Sequence, residues 1–141
     1  MWNYKISLAW KEGKAGELGA AGKPAVTVGT PPEFGGPPGT WTPEDLLAAS
    51  VAGCVMTTAL YWVDKLKVAL RAYSSTATAR MEKTKDGLAI TAVEVNVRAT
   101  VAAPSTAEDM AKVMTLAEQN CPISHSLKCA VTVSLECEVE G

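Results

Sequence analysis

The sequence predicts a single α+β domain over residues 1–141, with antiparallel-rich sheets packed on one long central helix. Three observations carry that prediction. Apolar side chains alternate with a period of two near the amino terminus, in the middle of the chain and at its end. The stretch from Leu46 to Val63 is free of charge and follows a helix-start signal at Thr42. The order of these segments, strands then helix, strands again, helices and a last strand, places strands next to strands in sequence. With 141 residues and 48% hydrophobic content the chain is large enough for one core, burying roughly 65–70% of its unfolded surface. Aromatics make up only 6%, so that core is expected to consist mainly of Ala, Val, Leu and Met.

Taken in order, Trp2, Tyr4, Ile6, Leu8 and Trp10 occupy alternate positions of residues 2–10, the period of a half-buried strand. Lys11 to Thr40 carries most of the Gly and Pro, with Ala25-Val26-Thr27-Val28 as one further short strand. The segment Thr30 to Gly39 cannot be helical, because its prolines remove amide donors and its glycines free the backbone. Long ordered loops of this kind are usually functional or packed on a partner.

Thr42 supplies an N-cap hydroxyl, Pro43 fits the first helical position, and Glu44 and Asp45 place anions where the helix dipole favours them. A helix is expected from Thr42 to about Leu66, buried on nearly all sides. One chain of this size does not easily cover such a helix, which predicts burial by a partner chain as well as by its own sheet. Residues 68–81 and 88–102 read as a hairpin turned by Lys83-Thr84-Lys85-Asp86-Gly87, the second strand alternating Val93, Val95, Val97, Ala99 and Val101 with polar residues. Ser105 and Glu108 form a capping box for a helix to Gln119 carrying Met110, Val113, Met114 and Ala117. Asn120 is placed to cap a second short helix that opens on Cys121 and Pro122, and Cys129 to Glu138 alternates as a final strand.

A formal charge of −2, with Lys and Arg scattered, argues against nucleic-acid binding. No segment reaches 18 uninterrupted apolar residues and Met1-Trp2-Asn3-Tyr4-Lys5 does not resemble a leader, so a soluble protein of the reducing cytoplasm, without membrane partners, is expected. Cysteines at 54, 121, 129 and 137 lack metal-site spacing, and no metal is expected. Cys121 at a helix start has amides and a dipole to stabilise a thiolate, whereas apolar burial of Cys54 raises its pKa. Cys54 is read either as a buried small hydrophobe or as one half of an attacking and resolving pair with Cys121. Cys129 and Cys137 point to one face of the last strand as core residues, and His125 is a surface or capping residue or a base.

The segment Thr42-Pro43-Glu44-Asp45-Leu46-Leu47-Ala48-Ala49-Ser50-Val51-Ala52-Gly53-Cys54 resembles the helix of the OsmC/Ohr family, in which a Pro-Glu-(Glu/Asp)-Leu-Leu start precedes the peroxidatic cysteine. Cys121-Pro122-Ile123-Ser124-His125-Ser126-Leu127 is similar to the family's Cys-Pro-(Val/Ile)-Ser-x-x-Leu segment with the resolving cysteine. The resemblance runs from Gly39 to the end of the chain. It implies an intertwined homodimer with two interface sites, a thiol-dependent peroxidase acting on organic and possibly hydrogen peroxide without metal or bound organic cofactor, and regeneration by a dithiol or lipoyl-type reductant. Under it Cys54 is the attacking thiol, Cys121 the resolving one, and Glu44 the helix-start carboxylate that pairs with a cation.

The chain departs from the family at that cation, normally an arginine in or before the glycine-rich loop. The first arginine here is Arg71, Glu33 stands beside Phe34, and Lys11, Lys14 and Lys23 are the available substitutes, each without a planar fork. Ten residues of helix span about 15 Å, so Glu44 cannot touch its own Cys54. The alternative is a noncatalytic dimer that holds a small apolar ligand in an interface pocket.

Overall fold

The computed structural model describes residues 1–141 and divides into two compact units, Met1–Leu46 and Leu47–Gly141. The first unit is a three-stranded antiparallel sheet in the order β1 (Ser7–Glu12), β2 (Ala15–Gly19), β3 (Val26–Gly29). Alternation placed the first strand over residues 2–10, whereas the ladder starts at Ser7 and runs to Glu12, because pairing with β2 and not side-chain pattern defines it. The central strand β2 was expected to be loop. Its sequence Ala-Gly-Glu-Leu-Gly has no apolar alternation and is extended only because both edges are hydrogen-bonded. A Cβ at Gly16 would stand 2.8 Å from the Ala9 carbonyl, so the strand depends on having no side chain there.

The Pro- and Gly-rich loop is ordered around a 3₁₀ turn at Pro32–Phe34, and Gly36 presses so closely on the Thr30 carbonyl that no Cβ fits. The Trp41 carbonyl accepts the Gly29 amide at 2.8 Å, tying the loop's end to β3. Thr42 and Asp45 then cap α1 (Pro43–Lys65) reciprocally, each backbone amide donating to the other's side chain at 3.0 Å.

In the second unit β4 (Leu70–Thr84) and β5 (Gly87–Ala102) form the expected hairpin, and β6 (Ala130–Glu140) pairs with β5 in parallel. The crossover runs through α2 (Ala107–Asn120) and α3 (Pro122–His125), with α2 packed on β5 and β6. The core joins Val51, Val55 and Ala59 of α1, Val93 to Val101 of β5, Met110, Val113, Met114 and Ala117 of α2, and Cys121. Cys129 and Cys137 pack against this core from the β6 side, as their strand phase predicts.

Three local expectations are corrected. The capping box of α2 uses Thr106 and Asp109, not Ser105 and Glu108; the buried Ser105 hydroxyl instead accepts the Ala69 amide at 2.9 Å. Asn120 ends α2, its side-chain amide donating to the Leu116 carbonyl, and Cys121 is the residue before α3. The helix α1 is not buried on nearly all sides within this chain: only Val51, Val55 and Ala59, one residue per turn, are buried, while Met56, Leu60 and Tyr61 are exposed. By length and composition α1 could cross a membrane, but that buried line makes it a partly buried core helix.

Candidate active site

Cys54 lies at the middle of α1, one turn from Val51 and beside Val55, so the same helical phase that builds the core carries its thiol to the core's edge. It is partly buried. Cys121 is fully buried at the junction of α2 and α3, where Pro122 ends the first helix and starts the second. These two thiols, 67 residues apart in sequence, are brought to the same core, Cys121 within it and Cys54 packed against it, and each shifts the acidity of the other; all four cysteines are free.

Their surroundings pull the two thiols apart in acidity. Burial pushes the Cys54 thiol above its ordinary range and the adjacent Cys121 adds to this, while the Ile123 amide and the Thr58 hydroxyl work against it. Burial acts in the same direction on Cys121, but it is outweighed by the Ser124 hydroxyl, the Cys54 thiol and the amides of Ser124 and Ile123, so this thiol is lowered. The orphan amides at a helix start thus favour the anion on Cys121, and the apolar middle of a long helix disfavours it on Cys54. Sequence reasoning found both thiols but passed over Thr58, Ile123 and Ser124, whose offsets of four, two and three residues from the cysteines were the available signal.

Beside the pair opens a cavity of about 440 Å³ lined by Thr57, Thr58, Tyr61, Trp62, Asn120 and Pro122. The rings of Tyr61 and Trp62 meet edge to face at 5.2 Å, and the Lys65 ammonium sits 5.6 Å above the Tyr61 ring. His125 is exposed at the end of α3, and the chain holds no cluster of three metal-ligating side chains.

Glu44 stands in the first turn of α1 with one carboxylate oxygen closed off from solvent and without a hydrogen-bond partner. Of the three candidate lysines, Lys14 reaches the glycine-rich loop: its ammonium donates to the Phe34 carbonyl at 3.2 Å. Neither it nor any other cation pairs with Glu44.

The architecture is shared with solved structures at low identity. An OsmC-like protein of unknown function from Vibrio cholerae superposes with a TM-score of 0.89 at 19% identity over 96% of this chain and 100% of that one. An organic hydroperoxide resistance protein of Legionella pneumophila gives 0.72 at 21% identity, covering 98% of each chain. The organic hydroperoxide resistance protein OhrB of Bacillus subtilis gives 0.66 at 18%, over 97% of this chain and 98% of its own. No curated protein matches the sequence. Residues 36–136, from the glycine-rich loop through both cysteine segments to β6, match the family described as OsmC-like protein, and the chain is a member of that family.

Proposed function

We propose that the protein is a homodimeric thiol peroxidase that reduces organic hydroperoxides through Cys54 and Cys121. The observation that carries this reading is that two free thiols from distant segments are brought to one core, where each shifts the acidity of the other. The Cys54 thiolate attacks one peroxide oxygen, the O–O bond breaks, and the alkoxide leaves as an alcohol after taking up a proton. The resulting sulfenic acid condenses with the Cys121 thiol, releasing water and leaving a disulfide, which a dithiol or lipoyl-type reductant returns to two thiols. The lowered Cys121 thiol suits it to the second, resolving attack. Relatives of the same fold bear the name of organic hydroperoxide resistance proteins, which favours this substrate class.

Lys14 is our choice over Lys11 and Lys23 for the cation that stands in for the family's arginine, with Glu44 as its carboxylate. Both belong to residues 1–46, Lys14 is anchored at the loop, and Glu44 has an oxygen without a partner. The exposed apolar residues of β1 and of one side of α1 are the surfaces assigned to the second copy.

A peroxide-consumption assay tests the reading, with tert-butyl hydroperoxide and hydrogen peroxide as substrates and dithiothreitol or dihydrolipoyl groups as reductant. Turnover that vanishes in Cys54→Ser, with a Cys54–Cys121 disulfide in peptide maps of the oxidised wild type, is expected. A Cys129–Cys137 disulfide, or peroxide loss independent of Cys54, would sink it. A noncatalytic ligand-binding dimer is the second reading, favoured by the raised Cys54 thiol and the unpaired Glu44 oxygen; folded protein without Cys54-dependent peroxide loss at any pH would select it.

A further inference from the structure

We infer that Thr58 is a positioning residue for Cys54, its hydroxyl donating to the sulfur from one helical turn away at the wall of the cavity beside the thiol pair. The Thr58 Oγ1 lies 4.0 Å from the Cys54 Sγ, at the outer limit for a hydrogen bond involving sulfur. A helical threonine ordinarily returns its hydroxyl proton to a carbonyl three or four residues back. Here the Cys54 carbonyl, four residues back, accepts the hydroxyl of Thr57 at 3.2 Å, and the Thr58 hydroxyl lies within reach of the Cys54 sulfur, where it is the donor once the thiol has lost its proton. Two successive threonines thereby divide the labour: Thr57 holds the backbone of Cys54 and Thr58 its side chain.

The setting makes that hydroxyl consequential. The groups facing the Cys54 sulfur are Thr58 on its own helix and, from the segment at the start of α3, the Cys121 thiol and the Ile123 amide. Cys121 disfavours a thiolate on Cys54, and Thr58 and Ile123 are the donors that favour it. Of those two donors only Thr58 is a side chain, and it also lines the cavity of about 440 Å³ that Tyr61, Trp62, Asn120 and Pro122 complete. A hydroxyl in this position holds the thiolate against the wall of the cavity that Thr58 lines and lowers the pH at which the thiolate forms. Its catalytic meaning rests on the peroxidase reading; its effect on the thiol does not.

The test is the pH profile of Cys54 alkylation by iodoacetamide, read by peptide mass spectrometry in wild type, Thr58→Val and Thr58→Ser, with Cys129 as internal reference. Thr58→Val keeps the side-chain shape and removes only the donor. Its Cys54 midpoint is expected to rise by about half to one pH unit, a roughly three- to tenfold slower reaction at neutral pH, with the profiles converging at high pH. Thr58→Ser is expected to restore the wild-type profile. An unchanged midpoint in Thr58→Val, a uniform loss of rate at every pH, or a failure of Ser to rescue would each overturn the proposal. The shift with no peroxide consumption by wild type would retain Thr58's role and reject the peroxidase, whereas peroxide turnover without the shift would do the reverse.

Discussion

β1 and β5 carry the same signal in sequence, and the molecule treats them in opposite ways. In β5 the alternating Val93, Val95, Val97, Ala99 and Val101 are all buried beneath α1 and α2 side chains. In and before β1, Trp2, Tyr4, Ile6, Leu8 and Trp10 alternate as strictly, yet every residue of the strand is exposed, Trp10 to 76%. The whole buried apolar core lies between Val51 and Cys121, and none of it in the first unit. Alternation therefore reports that one face of a strand is apolar; it does not report what covers that face. Five large apolar side chains in water are a standing cost, and the proposed second copy is the occupant we assign to them.

The contrast is broken most directly by truncation. Met110→Ala, deleting a fully buried side chain, is expected to lower unfolding free energy by about 2–5 kcal/mol in denaturant titration. Leu8→Ala, at dilutions where only monomer is present, is expected to change it by less than about 0.5 kcal/mol. Comparable losses at both sites in the monomer would mean that the two strands are equivalent after all. Next in size, Trp10→Asp is expected to weaken self-association about thirtyfold or more by sedimentation, with the circular dichroism spectrum unchanged. A wild type that stays monomeric at micromolar concentration would remove the occupant from the argument.

The thiols sharpen the comparison on the chemical side. Because the folded Cys54 value lies above its ordinary range, the protonated form prevails at neutral pH and the thiolate appears only as pH rises toward the folded value. Cys54-dependent peroxide loss is expected to climb about tenfold per pH unit in that range. A fast, pH-flat rate near neutrality would mean that a cation holds the thiolate, and Lys14→Ala would then be expected to restore the pH dependence.

The smallest effect concerns Tyr73, whose buried hydroxyl has no partner and whose phenol is pushed up to about 12 by burial. The folded value exceeds the unfolded value of 10.0, so this group's contribution to stability is complete below pH 10 and is lost as pH rises through about 12. Tyr73→Phe is expected to leave stability unchanged or raised by up to about 1 kcal/mol at neutral pH and to flatten its alkaline decline. A loss of stability at neutral pH would mean that the hydroxyl has a partner.

Local chemistry was legible wherever the neighbouring residues alone decide the outcome. The cap of Thr42, Pro43 and Asp45 starts α1 where it must, and the Thr84 to Gly87 turn closes the β4–β5 hairpin. The Val run of β5 marks the core, and the positions of Cys54 within a helix and Cys121 at a helix start foretell opposite pressures on their thiols. What depends on contacts remote in sequence was not legible. The strand β2 exists because β1 and β3 hydrogen-bond both its edges, with no apolar pattern of its own. The choice of Thr106 over Ser105 as cap turned on Ala69, 36 residues away, which takes the Ser105 hydroxyl. The parallel pairing of β6 with β5, and the meeting of Cys54 with Cys121 and Ile123, likewise required the chain to fold back on itself. Periodicity and capping are short-range terms written in consecutive residues, so the sequence by itself determined the elements and which of their faces are apolar. Pairing, burial and the acidity of a thiol are sums over atoms brought together from distant positions, and only the tertiary structure decided those.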